Sequence, residues 1–154
     1  MKPFYTVIIL LMSMIMYSAA AATYYVHPAG NDTSTGLSPQ EAWASIDKIN
    51  QTVLAPGDTV LFRGGSTFAG IIYFEQTGGT AAQPIVIGSY GVGRATIYSG
   101  DNVGLYIYNA AGYKITDLIF QGSGRTANQS AGVAFYMDLP NTRLQYIAIE
   151  NVEA

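Results

Sequence analysis

Residues Ala55–Phe68 read A-P-G-D-T-V-L-F-R-G-G-S-T-F. Pro56-Gly57 sets one tight turn, Gly64-Gly65 sets another, and the β-rich run Thr59–Phe62 lies between them. Val60 and Phe62 alternate with Thr59 and Leu61, which leaves one face free to be buried. Downstream, similar short runs recur between turns: Ile71–Phe74, Pro84–Ser89, Ala95–Tyr98, Leu105–Tyr108, Lys114–Phe120, Val133–Tyr136 and Leu144–Ile149. No helical period appears among them, so the expected class is all-β.

Composition agrees. Of 154 residues 17 are glycine, 12 are tyrosine and only 11% are charged, which argues against disorder and against a helical bundle. There is no cysteine, so no disulfide can staple the chain and stability must come from stacking.

The chain also repeats. G-L-Y-I-Y-N (Gly104–Asn109) matches G-V-A-F-Y-M (Gly132–Met137) at an offset of 28, and K-I-T-D-L-I-F (Lys114–Phe120) matches R-L-Q-Y-I-A-I (Arg143–Ile149) at 29. A period in this range predicts a solenoid, in which each unit buries its apolar face against the next. The same period, with the helix described below, argues against a β-sandwich. The inward set is Leu105, Ile107, Ile115, Leu118 and Phe120, then Val133, Phe135, Leu144, Ile147 and Ile149 one unit later. Two residues separate Ile115 from Leu118, so the chain bends at Thr116-Asp117, where Asp tolerates a left-handed backbone.

The N-terminal third is different. Met1–Ala22 has the form of a secretory signal: Lys2, an apolar run over Phe4–Tyr17, and small residues at Ala20-Ala21-Ala22. The run falls short of the roughly 20 apolar residues that span a bilayer, so secreted, periplasmic or cell-surface localisation is expected, with no membrane anchor after cleavage. The mature chain carries six Lys and Arg against ten Asp and Glu, a net charge of −4, and has neither a nucleic-acid footprint nor a polybasic stripe for lipid. Residues 23–55 are expected to form a cap, with a strand at Thr23–His27, a turn-rich stretch, and a helix of about three turns. Ser38, Pro39 and Glu41 form its capping box, and Trp43, Ile46 and Ile49, with Ala42 and Val53, form its buried stripe. Trp43 in that register is a core residue rather than a sugar platform. His27, the lone histidine, has no ligand cluster beside it.

Tyr24–Asp32 (Y-Y-V-H-P-A-G-N-D), the Trp43 segment, P-G-D-T-V-L-F-R-G-G and Pro84–Gly91 (P-I-V-I-G-S-Y-G) occur in that order. Together they resemble the N-terminal region of secreted right-handed parallel β-helix proteins of the pectate-lyase-like superfamily, in particular capped members that include alginate- or chondroitin-type polysaccharide lyases and related hydrolases. The resemblance implies residues 56–154 as the first units of such a helix, truncated after Ala154. It implies an exported polysaccharide-active protein, a lyase or glycoside hydrolase when full length, with this part alone inactive and polysaccharide, uronate-containing in some relatives, as its partner. The rival reading is a non-catalytic adhesin or carbohydrate-binding stalk. The residues point to no cofactor. The family resemblance brings in Ca²⁺, yet Asp101-Asn102 and Asn31-Asp32 are single pairs in turns and make no site as they stand.

No catalytic motif of the family is matched, so the catalytic residues are left unassigned. Three features qualify as substrate contacts. Lys114 aligns with Arg143, and two outward cations about 4.8 Å apart on neighbouring strands would either splay into water or be relieved by a bridging carboxylate. Tyr108 aligns over Tyr136, with Tyr106 nearby, giving either a flat aromatic face suited to sugar rings or a structural tyrosine ladder. Arg125 is the only charge in the long polar loop Gln121–Ala131 and could meet a carboxylate there.

Overall fold

The computed structural model describes residues 20–154. All but the last three residues of the expected export signal Met1–Ala22 lie outside them.

The strands are β1 (Thr23–Val26), β2 (Thr59–Arg63), β3 (Thr67–Ala69), β4 (Ile72–Glu75), β5 (Ile85–Tyr90) and β6 (Ala95–Gly100), followed by β7 (Leu105–Tyr108), β8 (Tyr113–Thr116), β9 (Leu118–Gly122), β10 (Val133–Tyr136) and β11 (Ile147–Glu150). They form three sheets, ordered β1-β2-β5-β8-β11, β3-β6-β9 and β4-β7-β10, and every pairing is parallel. From β2 onward the chain visits the three sheets in rotation.

Registers align like residues into columns. Val60, Ile87 and Ile115 stack in the first sheet, Phe68, Ile97 and Phe120 in the second, and Phe74, Ile107 and Phe135 in the third. The alternation seen in Thr59–Phe62 is the cause: every second residue of each strand points to one side, and the three sheets turn that side toward a common core. Each fully buried Ile or Leu contributes about 1.5–3 kcal/mol relative to exposure. The columns thin toward the last strand, where Ile147 is 38% and Ile149 50% exposed.

Asp58, from the opening stretch, is the one buried charged or polar side chain of the described residues. Its two oxygens accept from the Ala22 and Ala55 amides, each at 2.8 Å, tying the Pro56-Gly57 turn to the start of β1. Gly64 is required a few residues later because a Cβ there would collide with the Val92 and Gly93 carbonyls of the adjacent turn.

The single three-turn helix expected over residues 38–53 is not formed. Ser38 does cap, accepting from the Glu41 amide, but the element it opens is a 3₁₀ turn at Pro39–Glu41. Ala42 is extended (ψ 146°) and Trp43 forms a parallel bridge with Val26. A second N-cap, Ser45, then opens α1 (Ile46–Asn50). Asp32 enforces the break by accepting from the Ala44 and Ser45 amides at 2.7 and 3.1 Å. Val53 therefore falls off the buried stripe and is 87% exposed. Trp43 is core, stacked on Tyr24 at 4.8 Å, with its indole N–H donating to the Ser34 carbonyl. Helix α1 packs at the β3–β4 corner, where the Asn50 side chain bonds the Ile71 carbonyl and the Tyr73 amide.

Two further expectations change. Strand β3 was not anticipated, because only Phe68 of its three residues is buried. The expected strand Leu144–Ile149 begins instead at Ile147, and its register places Ala148, not Arg143, beside Lys114. The offset between β8 and β11 is thus 34 rather than 29, whereas that between β7 and β10 is the expected 28. A longer turn between β10 and β11 accounts for the difference.

Candidate functional site

The sheet β4-β7-β10 presents tyrosines on its outward side. Register sets Tyr73 beside Tyr106, and Glu75 beside Tyr108 beside Tyr136. Their rings stack as one continuous run: Tyr73–Tyr106 at 5.9 Å, Tyr106–Tyr108 at 6.2 Å and Tyr108–Tyr136 at 5.8 Å, with interplanar angles of 24°, 20° and 8°. These separations are within the attractive range for aromatic pairs. Tyr73 and Tyr136, at the ends of the run, are 38% and 51% exposed, while Tyr106 and Tyr108 between them are half-buried.

Carboxylates flank the run. The Tyr73 hydroxyl donates to Glu75 at 2.8 Å, and the Tyr108 hydroxyl donates to Asp138. The Asn109 amide donates to Asp138 at 2.8 Å, and the Asp138 backbone amide returns a bond to Asn109 at 3.0 Å. The bond to Asp138, then burial, pushes the Tyr108 phenol up to about 12, while the Tyr108 and Asn109 donors hold the Asp138 carboxyl below the usual carboxylate range. The bond to Glu75 likewise raises Tyr73. With its donors so engaged, the face offers flat rings for C–H contact and anionic oxygens for hydroxyl donors.

The expected pair of neighbouring cations does not exist. Lys114 bonds Glu150 at 2.8 Å, and that carboxylate raises the lysine above its ordinary range. Arg143 lies in the 137–146 turn and lines a cavity of about 370 Å³ with Gln76, Gly79, Asn109 and Met137. Arg125 lines a smaller cavity of about 210 Å³ with Gly122, Asn128 and Ala154. Tyr108 and Tyr136 do come together as expected. Tyr73, Glu75 and Asp138 were missed; the alternation Y-F-E at 73–75, matching Y-I-Y at 106–108, was the available signal.

Asp117 adopts a positive φ of 56° at the expected bend. Its carboxyl lies below the ordinary range because the Asn151 amide and the Thr116 hydroxyl donate to it. His27 Nδ1 accepts from the Ala29 amide, and among the described residues no cluster of three or more His, Cys, Asp or Glu could hold a metal. No helix among them is long and apolar enough to cross a membrane.

No protein-family profile matches the chain. In sequence, 78 residues, 48% of the chain, are 38% identical to a lacto-N-biosidase of Bifidobacterium longum subsp. longum, of which they cover 5%. In structure, the chain matches a GH136 lacto-N-biosidase from Eubacterium ramulus with a TM-score of 0.62 at 22% identity, over 74% of this chain and 24% of that one. A rhamnogalacturonan lyase matches with a TM-score of 0.52 at 19% identity, over 65% of this chain and 28% of that one. The parallel all-β fold is therefore shared with carbohydrate-active enzymes, and the chain spans about a quarter of the length of these solved structures.

Proposed function

We propose that the chain is the N-terminal part of an exported right-handed parallel β-helix protein that acts on oligo- or polysaccharide, and that the tyrosine face binds the sugar chain. The single observation that carries this is the run Tyr73–Tyr106–Tyr108–Tyr136, stacked in parallel planes, exposed at Tyr73 and Tyr136 and flanked by Glu75 and Asp138. Exposed aromatic patches of this kind mark ligand surfaces. The sequence match to a lacto-N-biosidase makes a glycoside hydrolase the favoured activity of the whole protein, ahead of a lyase. In this reading Met1–Ala22 directs export, and the 3₁₀ turn, the Trp43 bridge and α1 together cap the first turn of the β-helix.

In this reading Asp138 binds sugar hydroxyls rather than serving as a general acid. A general acid needs a raised carboxyl pKa, and Asp138 is held the other way by its donors. This also supports a second reading, a non-catalytic carbohydrate-binding wall.

Affinity electrophoresis in gels containing a lacto-N-biose-bearing oligosaccharide conjugate or rhamnogalacturonan, with unglycosylated gel as control, tests the reading. Retardation of the chain by one of these, and about five- to tenfold weaker retardation for Tyr136→Ala, are expected from the loss of one aromatic contact. Equal retardation of Tyr136→Ala and the parent would remove the tyrosine face from the binding site.

A further inference from the structure

Three successive turns connect the tyrosine-bearing sheet to the next sheet: residues 76–84, 109–112 and 137–146, or nine, four and ten residues. The short middle turn is recessed between two long ones, and the recess is the 370 Å³ cavity, lined from all three turns. That volume is within the roughly 300–1,000 Å³ range of small-ligand sites. Its floor is bare: Gly78, Gly79, Ala110 and Ala111 contribute backbone and methyl groups only. Gly78 packs so closely on the Ala111 carbonyl that no side chain fits there.

The cavity adjoins the tyrosine face directly. Asn109 follows Tyr108 and Met137 follows Tyr136, and both line it. Arg143 is its only charged lining residue. Among the described residues the ion pairs are Arg94–Glu153 and Lys114–Glu150, while Lys48 sits over Trp43 and Arg63 over Tyr90. Arg125 and Arg143 have no such commitment, and of the two only Arg143 lines the recess. A guanidinium without a carboxylate partner, at the rim of a small-residue recess, matches a planar or tetrahedral oxyanion through two parallel N–H donors.

We infer that the recess is an anion subsite of the tyrosine face: a sugar chain lying on Tyr108 and Tyr136 continues over Asn109 and Met137 and presents a carboxylate or sulfate substituent to Arg143. This rests on the sugar-binding reading of the face and adds a charge selectivity that the tyrosines cannot supply.

Calorimetric titration of the full chain with an oligogalacturonate, its fully methyl-esterified counterpart and a sulfated neutral oligosaccharide tests it. One or both anionic probes are expected to bind about tenfold more tightly than the ester, and which of them does so identifies the oxyanion. Arg143→Gln is expected to erase the preference, and Arg143→Lys to restore part of it. The preference is also expected to shrink with added salt. Equal binding of all three probes, or a preference that survives Arg143→Gln, overturns the inference while the tyrosine face stands. A preference lost in Arg143→Gln but untouched by Tyr136→Ala removes the face and keeps the anion site. Absence of binding by every probe overturns both.

Discussion

The Asn151 amide donates to the Asp117 carboxylate at 2.6 Å, and the two residues, 34 apart in sequence, share the same left-handed backbone, with φ of 51° and 56°. Each follows a strand of the same sheet, so the bend is reproduced with its side-chain clasp. Asp and Asn tolerate this conformation where a β-branched residue does not. Asp117→Val is expected to cost about 1–3 kcal/mol from backbone strain alone, and Asp117→Asn clearly less. Urea denaturation monitored by circular dichroism ranks the variants; equal midpoints for Val and Asn would show that the bend is unstrained.

The same clasp gives a pH dependence. The Asp117 carboxyl has a folded pKa below its unfolded one, first because Asn151 donates to it and then because Thr116 does. Its contribution is therefore fully present above the ordinary carboxylate range and lost as pH falls through the folded value. Acid titration of stability is expected to be shallower in Asp117→Asn than in the parent over that window.

Asp58 holds the Ala22 and Ala55 amides together from a buried position. Asp58→Ala leaves two half-buried donors without their partner, an expected loss of about 1–3 kcal/mol. Asp58→Asn has a single acceptor oxygen and turns an N–H₂ group toward the other donor, so it is expected to be nearly as harmful. Thermal melts of the two variants check this; an Asn variant with parental stability would mean that one of the two bonds is dispensable.

Packing depth differs sharply between the central strands and the last one. Ile107 is fully buried, and Ile107→Ala is expected to cost about 2–5 kcal/mol. Ile149, half exposed on β11, is expected to change stability by less than about 0.5 kcal/mol when cut to Ala. Among the described residues β11 is an edge strand of its sheet, and such edges are templates for association, so for this chain made by itself Ile149→Lys is expected to lower the sedimentation-derived oligomer fraction.

The Tyr108 phenol is raised to about 12 chiefly by its bond to the Asp138 carboxylate. Asp138→Asn removes that charge, and Tyr108 is expected to ionise at lower pH, nearer an ordinary phenol. Tyrosinate absorbance, with Tyr108→Phe subtracted, isolates the transition. An unchanged curve would mean that Asp138 does not contact Tyr108 in solution.

Much of the fold was legible because a period of two survives in most strands and turn glycines punctuate the chain. The tyrosine pair was legible for the same reason, since β7 and β10 keep an offset of 28. Lys114 and Arg143 were mispaired because the chain between β10 and β11 runs ten residues where the preceding turn has four, and similarity of K-I-T to R-L-Q outweighed a gap that no local signal marked. The helix was overextended because the apolar positions of Trp43, Ile46 and Ile49 fit a stripe equally well whether or not the backbone between them is helical. What broke it, Asp32 accepting from Ala44 and Ser45, is a contact from outside the segment. Glu75 and Asp138 gain their roles only from register and loop return, which alternation alone does not encode.

The unequal turns at the tyrosine-bearing corner separate positions where chain length is fixed by the core from positions where it is free. One residue inserted into a strand would turn its core side chains outward, whereas doubling a surface loop costs only about 0.6 kcal/mol in closure entropy. A change of chain length is thus tolerated at the rim of the recess, where it reshapes the walls and leaves the register of the scaffold beneath untouched.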